Sequence, residues 1–238
     1  MDDAAGTFVT LKIADGTSMR AYVARPDGTG RHPGIMVFQE AFGVNGHIRD
    51  VAGRFAAEGY VAIAPELFHR TAPGFEGLYT DFEAVRPHLS ALTAEGLEAD
   101  ILATFDFLVS DAGTDPANIV SIGFCMGGRV SFIANSIVPV KAAASFYGGG
   151  IAPRYLVRAA QLHAPMMFFW GGLDKNIGPD QIGAVIGALR TAGKPYVNIE
   201  FSDANHGFFC DARASYNANA ARQAWSLVRS FLAVHLGP

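Results

Sequence analysis

The chain has 238 residues, of which 50% are hydrophobic and 17% are charged, and its formal net charge is −4. This composition is typical of a globular protein with a sizeable core, without the basic clusters that bind nucleic acid or an apolar run that spans a bilayer. Two cysteines do not make a disulfide framework. With an acidic N-terminus that lacks the apolar core of a secretion signal, the sequence predicts a cytoplasmic protein with no nucleic-acid or membrane partner.

The first half of the chain alternates predicted strands with predicted helices. Alternating apolar and polar side chains at residues 7–13 and 19–24 predict an antiparallel hairpin at a sheet edge. The predicted elements that follow are a buried strand at 34–38, a helix at 47–58 capped by Gly59, a strand at 60–64, a loop with short helical pieces at 66–92, and an amphipathic helix at 94–110.

The second half continues this alternation. Strands that alternate with helices predict an α/β fold, with a mostly parallel sheet covered by helices on both faces. Because the chain has no repeat and no linker-like stretch, we expect residues 1–238 to form a single domain. The predicted elements are a strand at 118–122, a helix at 129–134, strands at 141–147 and 165–170, a helix at 181–191, a strand at 196–201 and a helix at 214–236.

The most informative motif is Gly-Phe-Cys-Met-Gly-Gly at residues 123–128, between a predicted strand and a predicted helix. A sharp strand–turn–helix with small flanking residues lifts one side chain above the sheet, which is the layout of a nucleophile elbow. Cys125 occupies the nucleophile position, where serine is usual. The alternative is that Cys125 is a small buried apolar side chain, as lone cysteines usually are.

A cysteine nucleophile needs a base, and the base needs an orienting group. Asp174 and His206 each follow a predicted strand, and with Cys125 they give the chain order nucleophile, acid, histidine. Since reactive groups gather at the carboxyl ends of parallel strands, we expect the three side chains on one rim of the sheet. Asp180 and Asp203 are competing acids, and Asp174 could instead be a turn or cap residue.

Four segments resemble the dienelactone hydrolase (carboxymethylenebutenolidase) family of the α/β-hydrolase fold, and the resemblance runs over essentially the whole length. They are Gln-Glu-Ala-Phe-Gly-Val-Asn at 39–45, the elbow at 123–128, Gly-Gly-Leu-Asp at 171–174 and Asn-His-Gly-Phe at 205–208. The resemblance implies a nucleophile at Cys125, a base at His206 and an orienting acid at Asp174.

The resemblance also implies roles for residues outside this triad. Glu40 would lie against the thiol and help to convert it to the thiolate, and the main-chain N–H groups of Ala41 and Met126 would form the oxyanion hole. Because a carboxylate beside sulfur disfavours a resting thiolate, Glu40 would have to move away or take the proton. The alternative for Glu40 is a salt bridge to an arginine at the end of the strand.

The best-known activity of this family opens a lactone that carries a free carboxylate, which two arginines of the family hold. One of those positions is Cys210 here, and a cysteine cannot make the planar bidentate contact, which argues against dienelactone itself. We expect Cys210 to be a neutral, half-buried thiol. The remaining arginine candidates are Arg70, Arg86 and Arg213. Four aromatic side chains flank the motifs and could wall the substrate site or belong to the core: Phe42, Phe124, Tyr147 and Phe208.

The sequence therefore predicts a hydrolase that cleaves small esters or lactones through a Cys-His-Asp triad and a covalent acyl-enzyme. It has no metal-ligand spacing and no Walker-type phosphate loop, so we expect neither a metal nor another cofactor. We expect a monomer or a small homo-oligomer. The alternatives are a thioesterase or acyl transferase with the same triad, and a non-catalytic hydrolase-fold protein that binds a ligand.

Overall fold

The computed structural model describes residues 6–237. Most of the acidic N-terminus, whose lack of an apolar core predicts that there is no secretion signal, therefore lies outside the described residues. The described chain forms two compact units, one ending at Val120 and the other beginning at Ser121. The single-domain organisation of residues 1–238 stays a prediction. Along residues 6–237, no helix combines the length and the apolar character that crossing a membrane requires.

The strands of the first unit begin with the predicted hairpin. β1 (Thr7–Lys12) and β2 (Ser18–Ala24) pair antiparallel, and β2 also pairs antiparallel with β4 (Val61–Pro65). β3 (His32–Phe38) pairs parallel with β4. The order β1-β2-β4-β3 leaves β1 at an edge, as the sequence predicts, and the five residues of β4 are buried as expected for an interior strand.

Three helices belong to the first unit, and side chains at their N-termini explain where they begin. α1 (Gly46–Ala57) starts where the Asn45 side chain accepts the N–H of Ile48, and it ends before Gly59, whose φ of 92° confirms the predicted glycine cap. α3 (Ala94–Ser110) has the predicted bounds. α2 (Phe82–Ser90) is a regular helix within the segment predicted as a loop with short helical pieces.

The strands of the second unit are all parallel, in the order β5-β6-β7-β8. They are β5 (Thr114–Phe124), which begins before Val120, β6 (Ala143–Phe146), β7 (Met166–Gly171) and β8 (Tyr196–Phe201). Every residue of β6 and β7 is buried, which is why both read as continuous apolar runs. Because the strands are parallel, their carboxyl ends share one edge of the sheet.

The helices of the second unit differ from the prediction mainly at their starts. α4 (Met126–Ile137) begins directly after Cys125, three residues before the predicted helix, and α5 (Pro179–Thr191) begins with a proline. α6 (Ala218–His235) begins later than predicted because Asn217 caps it. A short 3₁₀ helix at Leu156–Gln161 was not predicted.

Candidate active site

Cys125 stands at a strained bend between β5 and α4. Its φ of 54° and ψ of −117° fall in a backbone region that side chains other than glycine avoid, at a typical cost of ~1–3 kcal/mol. Two hydrogen bonds hold the bend: the Cys125 N–H donates to the Phe146 carbonyl at 3.0 Å, and its carbonyl accepts the Gly128 N–H at 3.0 Å. The residue is partly exposed, so the thiol is accessible at the edge where the parallel strands end.

The glycines around Cys125 are required by close contacts. A Cβ on Gly123 would collide with the carbonyl of Gly127. A Cβ on Gly128 would lie 2.7 Å from Ser145 Oγ and 2.8 Å from Gly148 Cα. These contacts are why the elbow tolerates only small residues at these two positions.

Asp174 lies on a turn that packs directly onto the segment carrying the histidine. The Gly172 N–H donates to the Phe201 carbonyl at 2.8 Å, and the Leu173 N–H donates to the Ala204 carbonyl at 2.9 Å. A Cβ on Gly171 would lie only 2.6 Å from the Ala204 carbonyl oxygen. The two glycines before Leu173 therefore allow the close approach that brings Asp174 to His206.

The carboxylate of Asp174 is buried, and both of its oxygens accept hydrogen bonds. Oδ2 lies 2.7 Å from His206 Nδ1, and Oδ1 accepts the Asn176 N–H at 2.8 Å. Burial alone would raise the pKa of Asp174, but the hydrogen bonds and the charge of His206 outweigh it and hold that pKa below its usual value. Asp174 is therefore an anion that fixes the orientation of the imidazole ring.

His206 has two partners at its ring: Nδ1 lies 2.7 Å from Asp174 Oδ2, and the Cys125 thiol is near enough to raise the pKa of the ring. Because Nδ1 contacts Asp174, the ring nitrogen that serves the thiol is Nε2. Burial would lower the pKa of His206, but these two partners outweigh it and raise the pKa to about 10. The structure thus brings Asp174 to His206, whereas no described hydrogen bond links Asp180 or Asp203 to the ring. The triad formed by these two residues with Cys125 stays a prediction.

The loop that carries His206 is tied to the start of α6. The Asn217 N–H donates to the Phe208 carbonyl at 3.0 Å, and Asn217 Nδ2 donates to the Asp203 carbonyl at 3.3 Å. The same side chain accepts the Ala220 N–H and caps α6. One asparagine therefore closes the loop around His206 and starts the helix that follows it.

Three of the aromatic candidates of the second unit are fully buried. Tyr147 has a φ of 38°, and its ring centroid lies 5.1 Å from that of His206 and 5.3 Å from that of Phe208. Phe124 instead stacks on Phe209 with the centroids 5.2 Å apart. Tyr147 thus packs beside the imidazole and Phe208 packs against Tyr147, while Phe124 belongs to the aromatic core. A role in substrate binding stays a prediction for all three.

The predicted residues of the first unit follow the end of β3. Glu40, Ala41 and Phe42 are all buried. The Gln39 side chain donates from Nε2 to the Glu40 carbonyl at 3.2 Å, and its Oε1 accepts the Leu67 N–H at 3.0 Å. Phe42 packs against the ring of Tyr79, with the centroids 4.6 Å apart. The roles predicted for Glu40 beside the thiol, for Ala41 and Met126 in the oxyanion hole, and for Phe42 in the pocket stay predictions.

Two of the arginine candidates are held by carboxylates of the protein. Arg86 lies on α2, largely exposed, with Nη2 2.6 Å from Glu83 Oε1. Arg70 is engaged by Asp15 at 2.7 Å and by both oxygens of the buried Asp100 at 2.8 and 2.9 Å. Both guanidinium charges are therefore already compensated.

The remaining arginine candidate and the second cysteine lie close to the histidine in the chain. The guanidinium of Arg213 packs against Gly207, where an added Cβ would collide with it. Among the described residues Cys210 forms no disulfide, and it is fully buried rather than half-buried as the sequence predicts. Within either unit taken alone, no three carboxylate, imidazole or thiol groups of the described residues converge as metal ligands would.

Arg129 is a charged residue near the nucleophile that the sequence motifs do not single out. It lies on the first turn of α4, and its Nε atom is buried without a hydrogen-bond partner among the described residues. The signal that could have found it is its position four residues after Cys125, where a cation shares the first helical turn with the nucleophile.

Comparisons with known proteins identify the family that this chain resembles. The sequence profile of the dienelactone hydrolase family matches residues 19–236. A Synechocystis sp. protein provisionally named a carboxymethylenebutenolidase is 37% identical over 240 residues, covering 97% of this chain and 97% of its own length. A similarly named Escherichia coli (strain K12) protein is 37% identical over 236 residues, covering 94% of this chain and 85% of its own length.

A solved structure shows the same fold. A crystal structure from Klebsiella pneumoniae subsp. pneumoniae, provisionally described as a dienelactone hydrolase, matches with a TM-score of 0.85 at 31% identity. The match covers 96% of this chain and 99% of that one. The predicted α/β-hydrolase fold, with its mostly parallel sheet and N-terminal antiparallel strands, is confirmed.

Proposed function

Because the chain belongs to the dienelactone hydrolase family and is a hydrolase, we propose that it cleaves small esters or lactones through a covalent acyl-enzyme on Cys125. The observation that supports this proposal is the 2.7 Å contact between Asp174 and His206, a ring whose pKa the Cys125 thiol also raises. The three residues follow the chain order that the fold uses for nucleophile, acid and histidine. The cytoplasmic location and the oligomeric state stay predictions.

In the first step the sulfur of Cys125 attacks the carbonyl carbon of the substrate as a thiolate. Its proton resides on His206, whose raised pKa favours the imidazolium beside an anionic sulfur. The electron pair of the carbonyl moves to its oxygen. The N–H of Met126, at the first position of α4, has no partner within the helix and is a donor for that oxyanion.

Collapse of the tetrahedral intermediate breaks the bond to the leaving oxygen. His206 gives its proton to this oxygen, so the alcohol departs neutral, or in a lactone stays attached as a hydroxyl group. The acyl group is then a thioester on Cys125. Asp174 keeps its negative charge throughout, because its role is to orient the ring and to stabilise the imidazolium.

Hydrolysis of the thioester uses the same groups in reverse. His206, now neutral, takes a proton from a water molecule, and the resulting hydroxide attacks the thioester carbonyl. The C–S bond breaks, and the sulfur leaves as the thiolate beside the imidazolium. The acid product is released, and the initial protonation state of the pair is restored.

The test compares wild type with Cys125→Ala on p-nitrophenyl acetate, a lactone panel and acyl-CoA thioesters. We expect the variant to lose at least a thousandfold in kcat/KM, and we expect mass spectrometry of quenched wild type to find the acyl group on Cys125. Cys210→Ala is the matched control, since it removes the other thiol and should still be acylated at Cys125. Equal turnover by wild type and Cys125→Ala would remove Cys125 as the nucleophile. Acyl-CoA turnover far above ester turnover would make the protein a thioesterase.

A further inference from the structure

The outer edge of β8 carries a row of main-chain groups that have no hydrogen-bond partner among the described residues. Within residues 6–237 this strand pairs only with β7. The Phe201 carbonyl accepts the Gly172 N–H at 2.8 Å, and because main-chain groups alternate in direction along a strand, the odd-numbered residues of β8 face β7. The N–H and C=O groups of Tyr196, Asn198 and Glu200 therefore point away from the sheet.

This strand lacks the features that usually prevent an edge from pairing with another chain. Natural edge strands are protected by lysine, by proline or by a bulge. The residues from Tyr196 to Phe201 include neither lysine nor proline, and their register with β7 is unbroken. Val197 is also 39% exposed, on one face of the strand. The edge of β8 is therefore open to a further strand.

The charged side chains at this edge indicate which strand would pair with it. On the face opposite Val197, Arg190 of α5 donates to the Tyr196 hydroxyl at 2.7 Å and forms no ion pair among the described residues. Glu200 lies on the same face near the other end of β8, exposed and likewise without an ion pair within residues 6–237. The strand thus has a cation near one end and an anion near the other, an arrangement that complements its own reverse.

We propose that β8 pairs antiparallel with β8 of a second copy of this chain, so that the sheet continues across a two-fold axis at Asn198. In this register Asn198 faces its own equivalent, and Tyr196 of each copy faces Glu200 of the other. These three facing pairs supply six main-chain hydrogen bonds, because each hydrogen-bonded antiparallel pair exchanges two. An axis at Val197 or Ile199 would leave two such pairs, so the axis at Asn198 satisfies the most outward-pointing groups.

The side chains are complementary in this register on both faces of the strand. Glu200 of the second copy lies across from Tyr196, with ~4.5–5.5 Å between the Cβ atoms, and so beside the Arg190 guanidinium that the tyrosine hydroxyl holds. On the other face, Val197 of each copy lies across from Ile199 of the other, which covers the exposed valine. Because the pairing uses the same edge in both copies, it closes as a dimer. This inference does not rest on the proposed function.

The first experiment measures the mass in solution by analytical ultracentrifugation. Because contact along one strand buries less area than a standard interface, we expect wild type to dimerise with a dissociation constant in the micromolar range. Glu200→Lys sets a cation against Arg190 and should raise that constant at least tenfold, as should Arg190→Glu. The double variant Arg190→Glu/Glu200→Lys reverses the pair and should restore the dimer. Glu95→Lys, at an exposed position of α3, makes the same change in net charge and should keep the wild-type constant.

A cysteine on the proposed axis tests the register. Facing residues of a hydrogen-bonded antiparallel pair have Cα atoms ~5.5 Å apart, which is within the range of a disulfide. In a Cys125→Ala background, whose remaining Cys210 is fully buried, we expect Asn198→Cys to form a dimer disulfide with copper phenanthroline and oxygen as the oxidant. Glu200→Cys in the same background should not, because its two equivalents would lie about 13 Å apart along the strands.

Several results would overturn this inference. One is a wild type that stays monomeric over a hundredfold range of concentration around the micromolar range. Another is a dimer that Asn198→Cys does not cross-link, or whose dissociation constant the two charge reversals leave unchanged, since that dimer would use another surface. Assembly that grows beyond the dimer would indicate head-to-tail pairing instead. All of these readouts are masses, so they stand whether or not Cys125 is a nucleophile.

Discussion

The Nδ1 atom of His206 lies 2.7 Å from the Oδ2 atom of Asp174, whose side chain is only 1% exposed. A carboxylate in that position would be costly if it had no partner, so the histidine and the aspartate stabilise each other. The contact also leaves the opposite edge of the imidazole facing the thiol. Because the other oxygen of Asp174 is fixed by the Asn176 N–H, the ring has a single favoured orientation.

Replacing Asp174 with asparagine should separate orientation from charge. An amide can keep a hydrogen bond to Nδ1 but favours the wrong tautomer and no longer stabilises the imidazolium, so we expect kcat to fall by ~10³–10⁴. The pKa of His206 should fall below its value of about 10, because one of the groups that raises it is gone. An NMR titration of the ring in wild type and variant measures the shift. Asp203→Asn is the control, and a similar loss there would reassign the acid.

The raised pKa of His206 predicts how stability depends on pH. A group whose folded pKa lies above its unfolded pKa stabilises the protein fully below the unfolded value and loses that effect as pH rises through the folded value. The stabilisation should therefore decline progressively between pH 6.5 and about 10. Urea unfolding of wild type and His206→Gln across this window measures it. A difference in the free energy of unfolding that grows with pH would contradict the expected sign.

The lowered pKa of Asp174 predicts a loss of stability at acidic pH, whereas the raised pKa of His206 predicts one at alkaline pH. A carboxyl group with a depressed pKa stabilises the protein above its unfolded pKa and loses that effect as pH falls through the folded value. We therefore expect wild type to lose stability in acid faster than Asp174→Asn does, as seen in the free energy of unfolding below about pH 4. Parallel acid limbs for the two proteins would show that Asp174 carries no such stabilisation.

Gly123 and Gly187 form a matched pair of glycines for testing the crowding in the elbow. A Cβ on Gly123 would collide with the Gly127 carbonyl, whereas nothing lies within 4 Å of the corresponding position on Gly187, inside α5. We expect Gly123→Ala to destabilise the protein by at least ~2 kcal/mol and to lower kcat. Gly187→Ala should stabilise it by ~0.5–1 kcal/mol. Equal effects in denaturant titrations would contradict the crowding.

The buried carboxylate of Asp100 predicts a stability effect away from the nucleophile. It accepts hydrogen bonds from both Nη atoms of Arg70 and lies 3.1 Å from His69 Nε2, so it anchors the start of the segment between β4 and α2 to α3. Asp100→Ala should cost ~3–5 kcal/mol, because it leaves Arg70 and His69 without their shared partner. Asp15→Ala removes the more exposed partner of Arg70 and should cost clearly less. The reverse order in urea unfolding would be inconsistent with this network.

The sequence predicted the residues of the candidate site best where a motif and a strand end coincide. Cys125, Asp174 and His206 each follow a parallel strand of the second unit, and at the edge where such strands end Asp174 contacts His206. The sequence indicates that small residues are needed beside the nucleophile, but it does not show which contacts require the glycines. Only the contact of Gly171 with the Ala204 carbonyl explains why the turn before Asp174 has no side chains there.

Other features depended on tertiary partners that no local pattern encodes. Arg86 was the first candidate in the sequence and Arg70 the second, yet Arg70 pairs with the buried Asp100 whereas Arg86 pairs with the exposed Glu83. The Nε atom of Arg129 has no hydrogen-bond partner among residues 6–237, which can be known only from the positions of all possible partners in the fold.

Local chemistry also misled the prediction of α2. Pro87, inside that helix, disguised its periodicity, because proline usually ends a helix. The side chain of Asp81 nevertheless accepts the Ala84 N–H and starts the helix. The glycine-rich sequence before Asp81 does not indicate this capping contact.

Asn217 holds the loop of His206 through its main-chain N–H and Nδ2, while its Oδ1 accepts the Ala220 N–H at the start of α6. Fraying of the first turn of α6 would therefore let the imidazole of His206 leave its position while the sheet stays intact. On warming, such an enzyme would lose activity at a lower temperature than the one at which its fold unfolds. The difference between the two temperatures would measure how strongly the Asn217 side chain stabilises the loop.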